Sequence, residues 1–396
     1  MKEKNMEAQS SIAHIRLWHR DFWFMVIANY LMTSSVYMLL PILPLWLKNV
    51  NGFGNLETGA AMGVFGLGLV CFGPLCSFLI QKYRRNIVCV CAVFFMALSV
   101  FAIHLVENME AFSVTFEFVL CQRFLLGAAF GLAQMVLIST LIIDTCESCQ
   151  RTEANYGAAW FSRFAMSLGP LTGIVCCSLF DFDVMLWVAV GSSLLAIFMI
   201  VTVRFPFRAP ADNIPLFSLD RFFLLRGFPL FINLFLLTAV VGIMFSCSLT
   251  EISYTAMMGG FLLSLVARRF VFQNAELKSE AVCGMILVVA SYWVLLSPLE
   301  VAEYISPFLF GTGLGILGSC FLLLFVKLSN HCQRGTSQST FMIAWEGGVA
   351  FGLFIGHSLL SENKVLLAVS GIGITVVAML VYILFTHKWF TLNKNR

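Results

Sequence analysis

Two charges of opposite sign stand at matching places in this sequence. Arg163 lies six residues before Gly169, Glu346 lies six before Gly352, and one pair maps onto the other at an offset of 183. Both charges sit inside long apolar runs, where a membrane-centred charge costs at least about 2.5–3.5 kcal/mol on insertion scales. A group kept there must face protein or water. The carboxyl of Glu346 can take up and release a proton, and the guanidinium of Arg163 can hold an anion. His357 follows Glu346 by eleven residues, about three helical turns, which returns it to the same face. The alternative is structural: Arg163 and Glu346 form an ion pair that ties two parts of the chain together.

Arg123 is a second cation inside an apolar run. With Arg163 it is expected to hold an anionic part of a cargo or to tune the proton affinity of Glu346. Glu117 lies six residues earlier, roughly 120° away on a helix, so direct pairing with Arg123 is awkward. Packing against carbonyls is the other reading of Arg123. Asn29, in the first apolar run, either lines a polar cavity or bonds to a neighbouring helix. Cys146-x-x-Cys149, even with His331 and Cys332 from another loop, falls short of a metal site, since a reducing cytosol keeps such thiols free. No G-x-x-x-x-G-K-S/T run is present, which disfavours ATP-driven transport. No cofactor, metal or nucleic acid is expected.

What must position these residues is a set of membrane helices. Of 396 residues, 60% are hydrophobic and 11% charged, against about 25% charged in soluble domains. Thirteen cysteines, mostly inside apolar runs, read as small buried hydrophobes. Apolar runs fall at 22–47, 57–80, 87–106, 113–143, 154–179, 184–203, 228–249, 253–270, 281–298, 302–327, 338–360 and 364–386. A span needs about 20 such residues, with every backbone group bonded inside its own segment. The expected class is an all-α integral membrane protein with twelve transmembrane helices. The run 253–270 is the weakest, cut short by Arg268 and Arg269.

With both termini inside, 20 of the 24 lysines and arginines fall in cytoplasmic segments, Arg123 and Arg163 lie in spans, and Lys48 and Lys364 lie outside. Acids such as Glu57, Glu107, Asp181, Asp183 and Glu303 dominate the outer loops. This bias sets the orientation in a cell (inner) membrane and supports twelve helices, because dropping one inverts half the loops. The break at 204–227 divides an N-terminal six-helix bundle (1–203) from a C-terminal one (228–396). Across it Cys149-Gln150-Arg151 recurs as Cys332-Gln333-Arg334, Gly127 and Gly131 recur as Gly311 and Gly315, and Gly73 aligns with Gly260. That order points to a parallel six-plus-six duplication.

The stretch Gly73–Asn86 resembles the signature loop of the major facilitator superfamily, G-x-x-x-G-x-L-x-D-R-x-G-R-R/K. Gly73, Leu79, Lys82 and Arg85 fit; Ser77, Gln81 and Arg84 replace a glycine, the acid and the second glycine. Gln81 therefore offers no acid for a gating salt bridge. Arg123-x-x-x-Gly127-x-x-x-Gly131 is similar to the helix-four motif of proton-coupled members. Gly169, Pro170 and Gly173, with Ala165 ahead of them, are similar to the helix-five motif of antiporters. There, glycines allow close helix approach and proline bends the helix at the interface between halves. The resemblance implies two six-helix bundles rocking about a midplane site to move a small molecule, acting as a single chain in the bilayer and driven by protons. Efflux by proton antiport is the first expectation, with few amides and many Phe and Met in the helices suiting amphipathic cargo. Proton-coupled uptake of a sugar or organic acid is the second, and a non-transporting membrane sensor the third. Without paired His/Asp or Ser/His sets at helical spacing, an enzyme is not expected.

Overall fold

The computed structural model describes residues 17–108, 114–205, 214–273 and 275–395. The polar stretch 1–16 and part of the central break lie outside the described residues. Each apolar run becomes one helical unit: α1 (Arg20–Asn49), α2 (Asn55–Cys71 and Gly73–Lys82), α3 (Arg85–Glu107), α4 (Phe116–Asp144), α5 (Arg151–Leu179) and α6 (Phe182–Thr202). The second six are α7 (Leu225–Phe245), α8 (Glu251–Phe270), α9 (Leu277–Leu295), α10 (Ala302–Leu328), α11 (Arg334–Leu360) and α12 (Lys364–Asn393). Ten are long and apolar enough to cross a membrane, and α2, bent by 44° after Cys71, makes eleven. The exception is α8. It is a continuous helix of 20 residues, but Glu251 in its first turn and Arg268 and Arg269 in its last keep it less apolar.

Helix packing repeats between the halves. In the first, α1 packs on α5 and α6, α2 on α4, and α3 on α4 and α6; in the second, α7 packs on α11 and α12, α8 on α10, and α9 on α10 and α12. The glycines explain the pairing. A side chain at Gly127 or Gly131 would run into the carbonyls of Phe65 or Leu69 on α2, and one at Gly311 into that of Met257 on α8. Small residues four apart let the backbones touch. The Gly73 alignment needs correction. Gly68 faces Phe124 and Ala128 on α4 as Gly260 faces Phe308 and Thr312 on α10, so Gly68 is the structural counterpart. The offset there is larger because the third helix and its connection to the fourth are both shorter in the second half.

The halves meet along α2 against α11 and α5 against α8. Gly59, Gly63 and Gly66 of α2 accept Ser358, Phe354 and Ala350 of α11, and Ser167 Oγ of α5 donates to the Tyr254 carbonyl of α8 at 2.6 Å. The helix-five motif has a different partner from the one expected. Gly169 and Gly173 press on Ser34, Tyr37 and Met38 of α1 in the same half, as Gly352 and Gly356 press on α7. This is close packing used twice.

Candidate functional site

Arg163 and Glu346 each stand twelve residues into their helices, counted from Arg151 and Arg334 at the basic ends. They line one central cavity of about 30 Å³, together with Gln134 and Ile138 of α4, Ser162 of α5, and Gln338, Phe341, Met342 and Trp345 of α11. On a measure where one water needs about 10–15 Å³, that is room for two. Both charges are buried, at 2% and 7% exposure. They are not paired with each other. Arg163 Nη1 donates to Ser319 Oγ of α10 at 3.1 Å, and its guanidinium lies 4.6 Å from the Trp160 ring and 5.8 Å from that of Trp345. Nη2 is buried without a partner. Glu346 Oε2 accepts from the Tyr37 hydroxyl at 2.9 Å, across the two halves. Pro41 and Pro44 explain why Tyr37 stands there. Lacking N–H groups, they leave the carbonyls of Tyr37 and Leu40 without their ladder bonds, and α1 breaks at Met38.

The other expected residues lie elsewhere. Asn29 joins α1 to α5, donating to the Ala158 carbonyl at 3.1 Å and Ser162 Oγ at 2.8 Å, one layer behind the cavity wall. Arg123 is buried between α4 and α2, its Nε 3.4 Å from the Ala61 carbonyl and its charge over Phe65. Glu117 is exposed in the first turn of α4, where a negative charge suits the helix dipole. His357 lies in a π-helical turn, Gly356–Leu360, about 16 Å along α11 from Glu346. It lines a separate cavity of about 160 Å³ with Pro41, Pro44, Phe245 and Leu249.

At the basic end, Gln81 donates to Ser77 in its own helix and Lys82 lies over Phe78 and Tyr83. Arg84 is exposed, and Arg85 pairs with Asp144 at the end of α4. A different element crosses between halves here: the strap 218–224 that precedes α7. Ser218 N donates to the Pro74 carbonyl (2.9 Å) and Phe222 fills the notch at Gly73. Arg221 N donates to Thr336 Oγ1 (2.9 Å), Thr336 to Asp220 (3.0 Å), Leu224 N to Thr340 Oγ1 (2.8 Å), and Arg221 Nη1 to the Ser139 carbonyl of α4 (3.0 Å). Arg221 takes a left-handed φ of 57° to do so. Burial draws its pKa below the ordinary guanidinium value, with Asp220 opposing. Arg268 of α8 pairs with buried Glu280 of α9 and reaches over Tyr156 of α5.

Sequence reading missed Tyr37, Gln338, Ser319 and the strap. Tyr37 had a signal, since it stands four residues before Pro41, where a proline takes away its ladder bond. Gln338 lies eight residues before Glu346, about two turns along the same face. The strap has no local pattern, because its amides and Arg221 bond to threonine hydroxyls and carbonyls 82 or more residues away.

The sequence model of the Major Facilitator Superfamily matches residues 22–352. No curated protein sequence matches the chain. Among solved structures, it is similar to a bacterial homolog of the human lysosomal transporter Spinster, in an inward-facing and occupied conformation (TM-score 0.70, 12% identity, 95% of this chain and 98% of that one). It is also similar to the human organic anion transporter MFSD10 (0.67, 14%, 91% and 98%). The nucleoside transporter NupG has a similar fold too (0.65, 13%, 92% and 99%).

Proposed function

Since this chain belongs to the major facilitator superfamily, we propose that it is a proton-coupled secondary transporter that moves a small molecule by rocking its two six-helix halves. It lies in the cytoplasmic membrane with the basic end and both termini inside. Glu346 carries the proton, Arg163 meets the cargo, and the halves divide at the 204–227 break. One observation supports this most: an acid and a cation from opposite halves face one buried cavity without pairing. A purely structural ion pair would have closed on itself, since an unpaired buried charge is costly. In proteoliposomes, Glu346→Gln should insert normally and lose pH-driven flux. Unaltered pH-driven flux in that variant would reject the proposal.

Two senses of coupling are compatible with such a site. Efflux by proton antiport follows from the likeness of the α4 and α5 runs to those of exporters. The α5 glycines, however, pack on α1 in the same half, and α11 repeats the arrangement on α7, so that motif says little about direction. Proton-coupled uptake is favoured by the lack of a carboxylate partner for Arg163.

A further inference from the structure

The central cavity wall carries two buried polar atoms without partners, Nη2 of Arg163 and Oε1 of Gln338. Arg163 is the more telling. A buried cation is ordinarily matched by a carboxylate, yet the acid on this wall, Glu346, is turned to Tyr37. The guanidinium is also fixed in place. Trp160 and Trp345 lie against it, and Gly318 of α10 leaves it room, since a Cβ there would come within 2.6–2.8 Å of Nε, Nη2 and Cζ. A desolvated, immobilised guanidinium whose Nη2 has no partner is built to receive an anion. Gln338 Oε1 calls for a donor, and Ile138, Phe341, Met342 and Trp345 supply apolar and aromatic surface.

Resting on the reading of this cavity as the cargo site, we infer that the cargo is an organic anion with a flat apolar body, and that it travels together with the proton. Its acidic oxygen binds Arg163 Nη2, an O–H or N–H group donates to Gln338 Oε1, and its ring lies beside Trp345 and Phe341. The anion shares the cavity with Glu346. The ionisable groups facing that carboxyl are Tyr37 from α1 and Arg163 from α5; α2, α4, α7 and α10 bring none to the wall. Two negative charges in one dry cavity repel strongly, so the anion enters with a proton on Glu346. Coupling is then co-transport. At about 30 Å³ the cavity is contracted, and the ring enters only when the halves part at one end.

The test uses the purified full chain with three probes of similar shape: 4-hydroxybenzenesulfonate, 4-hydroxybenzamide and tyramine. Binding is read from tryptophan fluorescence and thermal shift, and proton uptake from a pH dye in weak buffer. The sulfonate should bind about tenfold or more tighter than the other two, the gain expected of a charge-assisted bond, and take up protons as it binds. Arg163→Gln should remove that preference, Arg163→Lys should keep part of it and control for folding, and Glu346→Gln should bind without proton uptake. Equal or tighter binding of tyramine or the amide, no binding of any probe, proton release, or an unaffected Arg163→Gln would each overturn the inference. If Glu346→Gln lost pH-driven flux while tyramine was preferred, only this inference would fall. Unchanged flux in that variant would remove the proposed function whatever the probes did.

Discussion

Tyr37 connects the proposed proton site to the opposite half of the protein. It sits at the break in α1, under the Gly169 face of α5, and its hydroxyl is bonded to Glu346. Tyr37→Phe should destabilise the protein by about 0.6–1.7 kcal/mol, the range of hydrogen bonds between membrane helices. The same change in a Glu346→Gln background should cost measurably less, and thermal melts of the four proteins would reveal that coupling. Strict additivity would mean that the carboxylate holds the Tyr37 hydroxyl no better than an amide oxygen does. The two charges were legible in the sequence because a charge in an apolar run is conspicuous and the duplication marked both. Tyr37 was hidden for the opposite reason: an aromatic in an apolar run looks like lipid-facing bulk until its partner is known.

Elements show the same division. Twelve helices and their glycine faces follow from apolar length and small-residue spacing, which are local properties. The strap at 218–224 depends on five hydrogen bonds to distant segments, and nothing within its own few residues announces them. It ties Thr336 and Thr340 of the second half to α2 and α4 of the first across the basic end. Arg221→Ala combined with Thr336→Val removes the side-chain contact to α4 and the hydroxyl that bonds Arg221 N and Asp220, and should let that end open more often. Cys149 and Cys332 are both exposed there, one in each half. Spin labels on these two, in a chain stripped of its other cysteines, should report a longer mean separation in the double variant. An unchanged distance distribution would show that the strap is not a restraint.

At the scale of the whole molecule, the fold is nearly two-fold symmetric in how its helices touch, and opposite in sign at one pair of positions. Arg163 and Glu346 stand equally far from the basic ends of their helices. With the site empty, the waist of the protein bears one plus and one minus. With it filled, the anion answers the guanidinium and the proton answers the carboxylate. Under the proposed coupling the cavity then holds no net charge in either state, and a full turnover moves none. A transmembrane voltage, worth about 2.3 kcal/mol per elementary charge per 100 mV, finds nothing to pull. Vesicles given a potassium diffusion potential alone should therefore show no change in uptake, while a pH step of the same driving force should power it; an electrical current during turnover would mean that a further charge rides along.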